Sequence, residues 1–161
     1  MTTGTAQSGD VIFYKPTGFI GRVISRVTKS PYSHVALALN SDTMIEADRF
    51  VNTRITAIAY DSEITHVYRL ENVTQEERDR IVTNALKLEG SKYDYAQIAE
   101  LFIRLVLGIK RTLFNNKKKL TCSEVVDKSF YESGINRKDV DNLYDITPEE
   151  LLHKYSLHRV L

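Results

Sequence analysis

The only cysteine in the chain, Cys122, lies in the stretch KLTCSEVVDKSF, directly behind Thr121. Thr121 and Glu124 have the S/T-x-x-E spacing of a capping box, which makes Thr121 an N-cap and Cys122 the first residue of a helix. There the unsatisfied backbone N–H groups and the positive end of the helix dipole favour a thiolate over a thiol. Val126, Ser129 and Phe130 follow at helical spacing, so this side of the helix faces a core and the sulfur sits at the edge of a packed surface. A nucleophilic thiol needs a base. His34 is the best placed of the histidines. In SHVALAL, alternation puts His34, Ala36 and Ala38 on one strand face and Val35, Leu37 and Leu39 on the other. The two alanines leave room for a helix or an extended substrate to approach the His34 face, and the cysteine helix is expected to pack there. If the next strand returns with Leu39 opposite Thr43, Ala36 falls opposite Glu46 and His34 opposite Asp48. Glu46, as a diagonal neighbour, and Asp48 are then rival partners for the imidazole. His66, His153 and His158 read as structural or exposed, because nothing pairs them with a nucleophile.

The elements that must position these residues follow from local patterns. VIFY after Gly9 and Asp10 predicts a strand, and Phe19, Ile20, Val23, Ile24 and Val27 recur at helical spacing in the segment behind it. SHVALAL and TMIEA flank the turn-prone Asn40, Ser41 and Asp42; RITAIA and ITHVYRL are then expected to continue an antiparallel meander. Thr74 with Glu77 marks another helix start. Ile81, Ala85 and Leu88 give that helix an apolar face, and Gly90 is a natural stop. A further helix is predicted over about 95–107. Thr147, Pro148 and Glu150 begin a short late helix, and LHRVL suggests an edge strand.

The 161 residues suit one domain, expected over 9–161 behind a loose leader at 1–8. A net charge of +1 gives no global attraction to nucleic acid, and no nucleic-acid partner is expected. One cysteine forms no internal disulfide, and the first residues lack the charge and apolar run of a secretory signal, so a reducing, cytoplasmic setting is expected. The most apolar window, IAELFIRLVLGIKRTLF, is interrupted by Glu100, Arg104 and Gly108 and is too short and too charged to span a bilayer. The basic segment 98–119 that contains it is a candidate for weak contact with a membrane surface. No His, Cys or acidic spacing suits zinc, and neither a Walker loop nor a dinucleotide glycine pattern occurs, so no metal and no organic cofactor is expected.

The order GDVIF, YSHVALAL, MIEA, KYDY, TCSEVV resembles the circularly permuted branch of the NlpC-type papain-like cysteine peptidases and amidases, the YaeF/YiiX-like group, in which the histidine strand precedes the cysteine helix. The resemblance runs from about Gly9 to Gly134. It implies an α+β, papain-like fold: an antiparallel sheet with the cysteine helix on one face. It also implies Cys122 as nucleophile, His34 as general base and Glu46 as the polar third member, with Tyr32, Tyr93, Asp94 and Tyr95 as candidate substrate-binding residues. The implied activity is a cysteine hydrolase that cleaves an amide bond in a peptide or cell-wall-type peptide through a thioester, on a peptide or an acylated small molecule. The alternatives are a lipid acyltransferase or phospholipase of the lecithin retinol acyltransferase type with the same Cys-His pair, or a catalytically silent binding module. The stretch GIKRTLFNNKKKL departs from the family pattern ahead of the cysteine.

Overall fold

A computed structural model describes residues 5–48, 51–93, 119–138 and 146–161. The architecture is α+β. Strands β1 (Val11–Tyr14), β2 (His34–Ala38), β3 (Thr43–Glu46), β4 (Arg54–Ala57), β5 (Thr65–Leu70) and β8 (Leu157–Arg159) form one antiparallel sheet in the order β4-β3-β2-β1-β5-β8. A parallel pair, β6 (Lys92–Tyr93) and β7 (Lys119–Leu120), lies apart from it. Helix α1 (Gly18–Thr28) joins β1 to β2, α2 (Gln75–Leu86) follows β5, α3 (Cys122–Glu132) follows β7, and α4 (Pro148–Lys154) precedes β8.

The first four strands do form a meander. The Asn40 side chain accepts the N–H groups of Asp42 and Thr43 at 2.8 Å each, an Asx-type turn that fixes the β2–β3 register. Leu37 then faces Ile45 and Ala38 faces Met44, with the Leu39 N–H donating to the Thr43 carbonyl at 2.9 Å, so the register is the expected one. The meander stops at β4. Strand β5 crosses to the far side of β1, pairing Ile12 with Val67 and Phe13 with His66 instead of extending from β4. The reason lies in burial: Val67 is fully buried, and pairing with β1 places it in the sheet interior, whereas β4 is a largely exposed edge.

The two faces of the sheet have separate cores. Val11, Phe13, Val35, Leu37 and Ile45 point to one side, against Ile81 and Ala85 of α2, Val125, Val126 and Phe130 of α3, and Leu151 and Tyr155 at α4. Ile12, Ala36, Ala38, Met44 and Val67 point to the other, with Ala6 and Ile58. Helix α3 therefore packs on the Val35–Leu37 face, not on the His34–Ala36–Ala38 face expected for it. The larger side chains of the first face bury more apolar area, at about 25 cal/mol per Å², than the alanines offer. Residues ahead of Gly9 also belong to the body. Ala6 is buried and Ser8 donates to the Leu39 carbonyl at 2.9 Å, so the expected loose leader is packed from Ala6 onward.

Two polar anchors hold α3. Asp127 accepts from Arg137 Nε and Nη2 at 2.7 Å each and from the Tyr155 hydroxyl at 2.6 Å, all nearly buried. Asn84 of α2 donates to Ser133 Oγ, at the end of α3, at 2.9 Å. The predicted helix over about 95–107 and the 98–118 part of the basic segment lie outside the described residues.

Candidate active site

Helix α3 begins where its capping box says it should. The Glu124 N–H donates to Thr121 Oγ1 at 3.4 Å, and the Thr121 N–H donates to Glu124 Oε2 at 2.7 Å. The box uses the N–H groups of Thr121 and Glu124 and leaves those of Cys122 and Ser123 outside it. Val126, Ser129 and Phe130 are all fully buried, which fixes the roll of the helix and holds Cys122, itself partly exposed, at the rim of the core. The parallel pairing of Tyr93 with Leu120 sets β6 beside the approach to the cysteine.

At the start of β2 the thiol meets the imidazole. Cys122 and His34 lie close enough for each to shift the other's protonation, the Val35 N–H also favours the charged sulfur, and the sulfur lies 3.9 Å from Ser123 Oγ. Helix α3 approaches from the Val35–Leu37 side, and its first residue reaches His34 because His34 opens the strand. The other side of the imidazole is equally committed: His34 Nε2 is 2.8 Å from Glu46 Oε2, which leaves Nδ1 for the sulfur. Tyr14 stacks on the imidazole, ring centroids 5.7 Å apart and 29° between planes. Glu46 is in turn gripped from β4, with Oε1 accepting from Arg54 Nε at 3.2 Å and Nη2 at 3.0 Å. Asp48 meets the same guanidinium at 3.7 Å. Of the two rival acids, Glu46 is the one whose carboxylate contacts the imidazole.

Charge follows geometry along this chain of contacts. Burial pushes the Cys122 thiol up, but the hydrogen bond and charge of His34, the Val35 N–H and the Ser123 hydroxyl outweigh it and hold the thiol below its ordinary range. Burial likewise disfavours a charged His34, yet Cys122 and Glu46 prevail and push the imidazole up to about 10. Burial raises the Glu46 carboxyl; His34 and Arg54 more than offset this, and it stays below the usual carboxylate range. The forms these contacts favour, thiolate, imidazolium, carboxylate and guanidinium, alternate in sign from Cys122 to Arg54. Tyr14, raised by its burial and then by the Glu46 charge, stays a neutral phenol and donates to Met44 Sδ at 3.2 Å.

The remaining candidates are placed differently. Tyr32 is 5% exposed, and its hydroxyl is taken up by His66 Nδ1 at 2.7 Å and the Tyr68 hydroxyl at 3.0 Å. It packs within the first core beside Phe13, so its hydroxyl is committed inside the protein. Tyr93 is located by its backbone in β6, and Asp94 and Tyr95 lie outside the described residues. His66 is buried with a depressed basicity, first from burial and then from Arg159 and Lys15, which suits a structural role. Arg54 and Tyr14 are absent from the sequence-based candidates. Arg54 had a signal: once Glu46 is placed on β3, Arg54 is its cross-strand partner on β4. Among the described residues no group of three or more His, Cys, Asp or Glu is arranged to hold a metal ion, and no helix is long and apolar enough to cross a membrane.

No protein-family profile matches the chain, and no curated protein matches it in sequence. Among solved structures it is similar to the metalloprotein YiiX from Escherichia coli O157:H7, a DUF1105 protein, at 16% identity, with a TM-score of 0.62 over 98% of each chain. At that identity the likeness is one of fold: the chain has a YiiX-like α+β fold.

Proposed function

We propose that the protein is a cysteine hydrolase of the circularly permuted, NlpC-type papain-like kind, acting on an amide bond in a peptide or cell-wall-type peptide. The observation that carries this is the 2.8 Å contact of His34 Nε2 with Glu46 Oε2 at the start of β2, the strand against which the Cys122 helix packs, with the thiol near enough to the imidazole to be held below its ordinary range. The YiiX-like fold and the order of strand before helix support it.

In the proposed reaction the Cys122 thiolate attacks the carbonyl carbon and forms a C–S bond, while the carbonyl π electrons move to oxygen. The backbone N–H of Cys122, unused by the capping box, receives that oxyanion in this mechanism. One such donor contributes about 3–4 kcal/mol to lowering the barrier. The imidazolium of His34 then gives its proton to the leaving nitrogen as the C–N bond breaks, leaving a thioester and neutral imidazole. Water, losing a proton to His34, attacks the thioester; the acid departs and the thiolate–imidazolium pair is restored. Glu46 keeps the ring oriented and stabilises its charge, and Arg54 keeps Glu46 in place. YiiX is a metalloprotein, but the described residues do not form a metal site, and no step here passes through a metal.

The test is trapping. Incubation with peptidoglycan fragments and, separately, with phospholipid vesicles, followed by intact mass and peptide mapping, should show a peptidyl mass increment on Cys122 that is absent in Cys122→Ala. An increment of fatty-acyl mass would move the substrate class to lipids, and no increment from any acyl donor, with Cys122 unreactive, would overturn a thioester mechanism.

A further inference from the structure

Helix α1 is amphipathic in an unusual sense for a surface element. Among its described side chains, Phe19 and Val23 stand four residues apart on one side, Phe19 exposed and Val23 partly so. The helix is seated by a different side: a Cβ added at Gly21 would stand 3.3 Å from Pro16 Cα and 3.4 Å from Ser33 Oγ, so Gly21 is where α1 meets the body. Phe19, well round the helix from Gly21, is 81% exposed, the most exposed large apolar side chain described. Arg22 and Arg26 are exposed beside it, Lys29 caps the C-terminal end, and from Val11 to Ser41 the sequence contains four basic residues (Lys15, Arg22, Arg26, Lys29) and no acid.

We infer that this face of α1 is an interface for an anionic lipid surface. An exposed aromatic bordered by exposed cations on a surface helix is the pattern of an element lying in the headgroup plane, where burying an aromatic and attracting anionic headgroups act together. A second copy of the chain fits the same face poorly, because a two-fold contact would set these cations against their own symmetry mates. The location adds a consequence that rests on the proposed function. Through Gly21, α1 leans on Ser33, the neighbour of His34, so a membrane bound on the outer side of α1 is one helix away from the proposed site.

The chain has no tryptophan, so Phe19→Trp supplies a single fluorescent reporter. Its emission should shift to the blue with vesicles of phosphatidylcholine and phosphatidylglycerol, be quenched by brominated acyl chains, and change little with phosphatidylcholine alone. In flotation with the anionic vesicles, Phe19→Ser should weaken binding about tenfold or more. Joint replacement Arg22→Gln and Arg26→Gln should weaken it by about thirtyfold, with binding falling as salt rises. Unchanged melting temperature and unchanged Cys122 alkylation establish that the variants are folded. Absence of vesicle binding, equal binding to neutral and anionic vesicles, or a dimer that Phe19→Ser dissociates would each overturn the inference. None of these measurements depends on turnover, so they stand or fall apart from the hydrolase proposal.

Discussion

At the scale of single residues, the proposed chemistry rests on the proximity of Cys122 and His34, and its pH dependence has a definite sign. The thiol is held below its ordinary value of about 8.5 by the imidazolium, against burial. Iodoacetamide should therefore alkylate Cys122 at neutral pH much faster than it alkylates a free thiol. In His34→Ala the compensation disappears while burial remains, so the midpoint of the alkylation profile should move to or above the ordinary value; an unchanged profile would show that His34 does not activate the sulfur. Glu46 supplies a second sign. Its carboxyl is held below an unfolded value of about 4.3, so its contribution to stability is present above that pH and is lost as the pH falls through its lower folded value. Glu46→Gln should accordingly flatten the acid limb of a plot of Tm against pH. It should also move the upper limb of the reactivity profile, set by His34 near 10, down by about one to three pH units.

At the scale of elements, the address of the thiol is a helix terminus, and a terminus is testable by its cap. Thr121→Ala removes the oxygen that receives the Glu124 N–H and should cost about 1 kcal/mol in urea unfolding while leaving Cys122 in contact with His34. Thr121→Ser should restore that loss. Caps were among the most legible features of the sequence because they are local: Thr74, Thr121 and Thr147 all head helices with complete boxes. The β2–β3 register was legible for the same reason, since Asn40 and its neighbours fix the turn. What failed was non-local. Alternation says which side chains share a face, but not what covers it, so His34, Ala36 and Ala38 were given the helix that Val35 and Leu37 receive. Bulk was the available signal, because the face with Val35 and Leu37 has more area to bury. The crossing of β5 to β1 was hidden because pairing partners far apart in sequence leave no short-range trace. Arg54 was missed because its role exists only once two strands are set side by side.

At the scale of the molecule, the site is as rigid as the clamp behind it. Asp127 and Arg137 are about 4% and 5% exposed and satisfy each other in bidentate fashion, with Tyr155 completing the carboxylate. Breaking such a pair strands a buried charge, so Arg137→Ala should destabilise the fold by about 3–5 kcal/mol in denaturant unfolding. Replacing both partners with apolar residues, Asp127→Leu together with Arg137→Met, should recover much of the loss. Recovery of stability with an undiminished rate of Cys122 alkylation would show that the clamp acts on folding and not on the thiol.

The strand bearing the imidazole and the helix bearing the sulfur hold positions 34 and 122 of one chain, with β3, β4, β5 and α2 in between. During synthesis, then, the ribosome releases the imidazole long before the thiol exists. A nascent chain carries no thiol until Cys122 is made, and an unarmed one until α3 docks on β2. The juxtaposition of sulfur and imidazole is thus acquired late, as a property of the finished body.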